Sequence, residues 1–203
     1  RLGLEVAVAN DADCFALGEQ KLGAGKGHNH VIGIIWGTGV GAGIILNGKI
    51  YSGTTGSAGE VGHNIIDPRG PKDGLGFAGS VEAFSGGANI SYIYKRWGGK
   101  LKDTHPGKIY RSKEKVAVQV MDQAFEKLST GLAQLMNTLN PGIIVIGGGL
   151  SNLPVYRELN KRTKKYTIDG LRKHVKVVKN KLGDDAGIYG AASLIFQRKG
   201  IHR

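Results

Sequence analysis

The chain has 203 residues, with 28 Lys and Arg against 16 Asp and Glu, a formal net charge of +12. That length suits one large domain or two small ones, and no apolar run reaches the ~18 residues of a membrane span. A single cysteine, Cys14, excludes an intrachain disulfide or a cysteine-built zinc cage; no signal peptide is read at the start, and a reducing cytoplasm is the expected home.

In chain order, Val6–Ala9 predicts a short strand and residues 12–21 a helix, with polar Asn10 and Asp11 between them. Either residue could be a simple N-cap. The carboxylate could instead stand at a strand end, where α/β folds place chemistry. Residues 23–30 read as a loop in which His28 and His30 are exposed, with no further metal ligand near in sequence. Ile32–Trp36 predicts a buried strand and Ile44–Leu46 its antiparallel partner. Gly37, Gly39, Gly41 and Gly43 lie between them, with Thr38 adding a hydroxyl. A turn that needs positive φ and a bare backbone uses glycine, and bare N–H groups cradle anions, so the run reads as a phosphate loop built into a β-hairpin. It is neither a Walker loop nor a Rossmann fingerprint, because no Gly-Lys-Ser/Thr follows and a strand rather than a helix comes next. An ordinary Gly-rich hairpin is the plainer alternative.

Lys49–Ser52 predicts a third strand and residues 53–59 a second Gly-rich loop. Glu60 and His63 follow three apart. A carboxylate and an imidazole together suit the hydroxyls of a sugar, or they form a local ion pair. Residues 67–82 are rich in Gly and Pro, and Ser80 is placed to cap a short helix, Val81–Phe84. Gly86–Trp97 reads as helical and residues 98–112 as a basic surface excursion. Lys115–Leu139 is the clearest helix: Val116, Val120, Ala124, Leu128, Leu132, Leu135 and Leu139 recur at spacings of three and four, and Asn140-Pro141 ends it. Ile143–Ile146 predicts a buried strand, and Gly147, Gly148 and Gly149 open into a helix over 153–165, a ready anion or nucleotide contact. A last strand, Val175–Lys179, and a closing helix, Gly187–Phe196, complete an α/β pattern in which parallel pairing and a sheet covered on both faces are expected. Segments 95–115 and 157–181 hold 18 of the 28 basic residues. Neither interleaves aromatics in a nucleic-acid-binding pattern, so a solvated basic face is expected.

Taken together, Ala9-Asn-Asp-Ala-Asp13, Gly37-Thr-Gly-Val-Gly-Ala-Gly43, Gly59-Glu-Val-Gly-His63, Asn140-Pro with Gly147-Gly-Gly149, and Gly187-Ile-Tyr-Gly-Ala-Ala192 resemble, in order and over nearly the whole chain, the carboxy-terminal domain of the ROK family of sugar kinases and sugar-responsive repressors. The resemblance implies an actin-like ATPase fold, related to ribonuclease H, with a mixed sheet flanked by helices and an insertion around residues 64–115. It implies that Asp11 is the catalytic base, taking the proton of the sugar hydroxyl that attacks the γ-phosphorus. Asn10, Glu60, His63 and Glu82 would bind a hexose. Gly37, Thr38, Gly39 and Gly41 would face the phosphates of ATP, and Gly147, Gly148 and Gly149 would form the nucleotide-side turn. Mg²⁺ would arrive with ATP rather than sit in a fixed protein cage, and family kinases are often dimers or tetramers.

Two departures from the family pattern stand out. The family often carries a structural zinc on one His and three cysteines, and here the cysteine positions hold Asp73, Leu75 and Ser80. Leu cannot ligate, so no zinc is expected and His63 is left for substrate. Family kinases also carry a preceding domain with an Asp-Gly-Gly-Thr phosphate loop, and nothing like it precedes Asp11. Either the chain is a fragment or another chain supplies that half, and these residues alone are expected to have negligible kinase activity. Three readings follow: the larger part of an ATP-dependent hexose kinase, the sugar-sensing domain of a ROK repressor, and a basic nucleic-acid-binding module. The intact Asn10-Asp11 pair favours the first, because a sensor needs no base.

Overall fold

The computed structural model describes Gly3 and residues 6–198, with the backbone alone at 196–198. Val6–Ala9 is not a strand. Val6 and Val8 are exposed, Val8 at 87%, and no ladder bonds this segment to the sheet among the described residues. The chain first becomes regular at α1, Asp11–Leu22, which Asn10 caps with its side-chain oxygen. Then come β1 (Val31–Trp36), β2 (Val40–Leu46) and a short β3 (Lys49–Ile50). One turn of 3₁₀ helix, Val61–His63, leads through the Gly/Pro-rich loop to α2 (Val81–Ser85), α3 (Gly87–Arg96) and α4 (Pro106–Arg111). The long α5 (Lys115–Leu139) precedes β4 (Ile143–Gly147), α6 (Tyr156–Tyr166), α7 (Asp169–Arg172), β5 (Val177–Lys179) and α8 (Ala186–Arg198).

The five strands form one sheet in the order β3-β2-β1-β4-β5. β1–β2–β3 is an antiparallel meander, while β4 lies parallel to β1 and β5 parallel to β4. Strand alternation sends Ile32, Ile34, Trp36, Ile144 and Ile146 to one face, under α2, α3, α5 and α6. Val31, Ile143 and Val145 go to the other face, against Phe15 and Leu17 of α1. The predicted stripe of α5 is buried at Val120, Ala124, Leu128, Leu132 and Leu135, while Val116 and Leu139 at its ends are only partly covered.

Close backbone approach explains glycines that composition only counts. A Cβ at Gly43 would lie 2.2 Å from the carbonyl oxygen of Ala12, so α1 sits directly on β2. A Cβ at Gly190 would lie 1.7 Å from the carbonyl oxygen of Cys14, so α8 sits on α1. Between them these contacts fix where α1 begins relative to the sheet. The segment predicted as a surface excursion contains α4, whose Ile109 is fully buried beside Ile90, Tyr94 and Ala117. Part of the basic character of α6 and α7 is paired: Arg162 binds Glu158 at 2.6 Å, Asp122 at 2.5 Å and Glu126 at 3.2 Å, and Arg172 binds Asp169 at 2.6 Å.

Candidate active site

Four elements converge on the first residues of β2. Ala12 of α1 is the nearest neighbour of the space beside Gly41, at 3.9 Å. Asp11 is therefore held one residue away, exposed in the first turn of α1. Its Oδ1 and that of Asn10 both accept from the Ala12 N–H at 2.8 Å. Asn10 is thus the N-cap, its oxygen committed to the helix and its amide NH₂ the group left to meet a ligand. Asp13 is the buried carboxylate of the motif, and burial pushes its pKa up; the exposed Asp11 is the one a substrate can reach. On the edge of β2 a Cβ at Gly62 would stand 2.0 Å from the carbonyl oxygen of Val40, which brings Glu60 and His63 alongside. From α2, Glu82 Oε2 accepts from the Val40 N–H at 2.8 Å.

The connection between β1 and β2 is shorter than the glycine run suggests. Trp36 pairs with Val40 and Ile35 with Gly41, so Gly41 and Gly43 belong to β2 and only Gly37, Thr38 and Gly39 form the loop. None of these glycines has positive φ. What sets Gly39 apart is proximity to Glu82: a Cβ there would lie 2.3 Å from Glu82 Oε2 and would push that carboxylate off the Val40 N–H. The loop is anchored on every side. Gly37 N–H donates to Gly39 O at 3.0 Å, Gly87 N–H to Gly37 O at 2.8 Å and Ala88 N–H to Thr38 O at 3.0 Å. The first N–H groups of α3 are therefore spent on the loop carbonyls, and the exposed Thr38 is turned outward from a fixed backbone.

Gly148 and Gly149 sit beside this loop. A Cβ at Gly148, where φ is +83°, would meet the Trp36 carbonyl oxygen at 2.6 Å, and the space beside Gly37 opens 3.9 Å from the Gly149 N–H. Gly147 differs from its two neighbours. It is the last residue of β4, and its missing side chain makes room for the Phe15 ring, 2.4 Å from where a Cβ would be, so packing alone accounts for glycine there. A cavity of about 630 Å³ lies between Thr38 and Gly149 on one side and Lys102, Thr104 and His105 on the other. Its size is that of an ordinary small-molecule pocket. Sequence reasoning left out Lys102 and His105, although Pro106 directly after a cap-competent residue marks a helix start; His105 Nδ1 indeed accepts from the Gly107 N–H at 3.1 Å. A larger cavity, about 750 Å³, lies between Asn10, Asp13, Gln20 and Lys49. Asp11, Glu60, His63 and Glu82 line neither cavity; Asp11 and Glu60 are exposed, and His63 and Glu82 partly covered.

His63 is oriented from behind. Its Nδ1 lies 2.9 Å from Oδ2 of Asp73, and its Nε2 faces Glu60 at 3.9 Å, too long for a direct hydrogen bond. The Asp73 side chain is 0% exposed. It accepts from four donors: Ser80 Oγ at 2.7 Å, His63, and the N–H groups of Leu75 and Phe77, each at 3.0 Å. Burial pushes its carboxyl up, and the bonds from Ser80, His63, Phe77 and Leu75 outweigh that and hold it below the usual carboxylate range. These residues do not suit zinc. The four lone-pair positions of the carboxylate are already occupied by donors, Ser80 Oγ also caps α2 by accepting from the Ala83 N–H at 3.1 Å, and Leu75 is 70% exposed and carries no ligating atom. Sequence reasoning placed Asp73 only as a lost cysteine; its bond to an imidazole ten residues away has no local signature.

The ROK family model matches residues 1–198. Glucokinase of Thermotoga maritima is 32% identical over 217 aligned positions, covering 98% of this chain and 68% of that protein. Among solved structures, a ROK family glucokinase from Streptomyces griseus in complex with glucose and AMPPNP superposes with a TM-score of 0.82 at 32% identity, over 96% of this chain and 69% of the other. A ROK family transcriptional regulator, a homologue of the E. coli MLC protein, superposes at 0.84 with 28% identity, over 97% of this chain and 52% of the other. A family model matched over residues 1–198 and a relative 32% identical over nearly the whole chain show that the chain belongs to the ROK family.

Proposed function

We propose that this chain carries the sugar- and nucleotide-binding part of an ATP-dependent hexose kinase, with Asp11 as its general base. The observation that carries the reading is the convergence on the start of β2, where one strand end gathers an exposed carboxylate, a rigid Gly-Thr-Gly loop and a Glu/His/Glu set. Phosphoryl transfer is mostly positioning and charge stabilisation, and this arrangement supplies positioning. Asp11 accepts the proton of the attacking hydroxyl. The Asn10 amide, Glu60, His63 and Glu82 hold the other hydroxyls of the sugar. Thr38 and the Gly149 N–H face the phosphates, with Lys102 as a cation across the cavity. ATP supplies the transferred group and brings Mg²⁺ with it. The inner hydrogen bonds of the loop mean that little ordering remains to be done when the nucleotide arrives.

The comparisons support this reading, since the Thermotoga maritima relative is a glucokinase and the Streptomyces griseus relative holds glucose and AMPPNP. The regulator with the same fold keeps a second reading in play, a hexose sensor without chemistry. Asp11→Asn separates the two. The measurement joins residues 1–198 to the part of the Thermotoga maritima enzyme that this chain does not cover. In a kinase, hexose-dependent ADP release falls about 10²–10⁴-fold, the usual worth of a positioned base, while hexose affinity stays within about threefold. ADP release that ignores the substitution rejects the assignment of Asp11. A chimaera that binds hexose but never releases ADP rejects the kinase.

A further inference from the structure

The Asp73 cluster is more than a loop closure, because of what lies at its two ends. Oδ1 gathers the N–H groups of Leu75 and Phe77, closing the loop on itself. Oδ2 gathers His63 and Ser80. His63 ends the 3₁₀ turn that carries Glu60, and Ser80 caps the helix that carries Glu82. One buried carboxylate oxygen therefore ties together the two elements that present the sugar-side residues. A bridge between Ile65 and Ser80 runs beside it, and the Phe77 ring lies 5.9 Å from the His63 ring, tilted 48° to it.

We propose that Asp73 is the positioning residue of the sugar site, holding His63 as the Nδ1–H tautomer so that Nε2 presents a lone pair beside Glu60 to one sugar hydroxyl. The chemistry follows from donors and acceptors. An ionised carboxylate only accepts, so the neutral imidazole must place its proton on Nδ1, and the opposite nitrogen becomes an acceptor. Nε2 and the Glu60 carboxylate, 3.9 Å apart, are then two acceptors side by side, and two neighbouring hydroxyls of a sugar can donate one to each. Without Asp73 the ring is free to turn or to take the other tautomer, and the hydroxyl that donated to Nε2 then faces Nε2–H and loses its acceptor. This inference rests on the sugar-site reading above, and its test keeps the two apart.

The 203-residue chain is labelled with ¹⁵N, its His63 resonances are identified with His63→Gln, and long-range ¹H–¹⁵N correlations read the tautomer near neutral pH. Nδ1–H is expected for the native chain. Asp73→Asn preserves the shape and leaves one oxygen for the two loop N–H groups, but turns an NH₂ donor toward His63. The expected result is a switch to the Nε2–H tautomer and, in the chimaera with the rest of the Thermotoga maritima enzyme, glucose or N-acetylglucosamine affinity by calorimetry reduced at least tenfold with AMPPNP affinity kept within about twofold. Ser80→Ala, which removes a donor to Asp73 and leaves His63 bonded, is expected to keep the Nδ1–H tautomer. A native Nε2–H tautomer at intact hexose affinity overturns the proposal alone. So does an Asp73→Asn chimaera that switches tautomer without losing hexose. Should Asp73→Asn not fold, the tautomer of the native chain decides. A chimaera of native sequence with the expected tautomer and no hexose affinity overturns the sugar-site reading and this proposal with it.

Discussion

Glu19 is fully buried on α1, yet no motif in the sequence singles it out. Its carboxylate accepts from the N–H groups of Ala24 at 2.7 Å, Lys181 at 3.1 Å and Leu182 at 2.8 Å, so it joins the end of α1 to the turn that follows β5. Each buried N–H left without a partner costs about 1–3 kcal/mol. Glu19→Ala removes three such bonds, but Lys181 is exposed and Ala24 and Leu182 half-buried, so water replaces part of them and unfolding stability is expected to fall by about 1–3 kcal/mol in urea melts. Asp73 makes a prediction of a different kind. Its folded pKa lies below the ordinary carboxylate value, so the stability it contributes is full above an unfolded pKa near ~3.9 and is lost as pH falls through the lower folded value. Native chain and Asp73→Asn are therefore expected to differ most above about pH 5 and to converge on acidification below about pH 4, as read by denaturant midpoints across pH. Asp11, Glu60 and His63 were singled out because each lies in a short local motif, and Glu82 through the family resemblance alone. Glu19 and Asp73 were not, because their partners are distant in sequence: the 162 positions to Lys181 and the ten to His63 leave no periodicity to read.

The best-read element is α5, whose observed bounds are those expected from the sequence. Twenty-five residues with one apolar stripe leave little ambiguity, and its stop is chemical. Asn140 takes a left-handed conformation, φ 45° and ψ 55°, and its N–H bonds to Met136 O. Asn tolerates that region and alanine does not. Asn140→Ala is expected to cost about 1 kcal/mol and Asn140→Gly to stay within about 0.5 kcal/mol of the native chain, as checked by thermal unfolding. Shorter elements were read less well, for reasons the structure supplies. Val6–Ala9 has strand-like composition but no place in the ladder. The β1–β2 loop was expected to need positive φ, whereas what sets Gly39 apart is its proximity to Glu82. Helix α4 was hidden by its basic, Pro-led sequence, although Ile109 anchors it in the core.

Across the whole molecule, the two halves of the site differ in enclosure. The nucleotide side has a cavity of about 630 Å³ walled by the β1–β2 loop, α3 and the segment before α4, and its backbone donors are already fixed. The proposed sugar side is more open: Asp11 and Glu60 are exposed, while His63 is partly covered, with Asp73 and Phe77 against its ring. An open face leaves a sugar hydroxyl and the transferred phosphoryl group in contact with water, where hydrogen bonds and charges are weakest and hydrolysis competes. The 203 residues on their own are therefore expected to bind AMPPNP and hexose weakly and to release ADP no faster with hexose than without it. The comparison is with the chimaera in which the rest of the Thermotoga maritima enzyme, about a third of its length, covers the sugar face. There, hexose-dependent release is expected to rise at least a thousandfold above the isolated chain. A coupled assay for ADP, run on both proteins at matched concentration, decides. Equal turnover by the two would mean that the open face is already competent, and that enclosure of the sugar is not what the chemistry waits for.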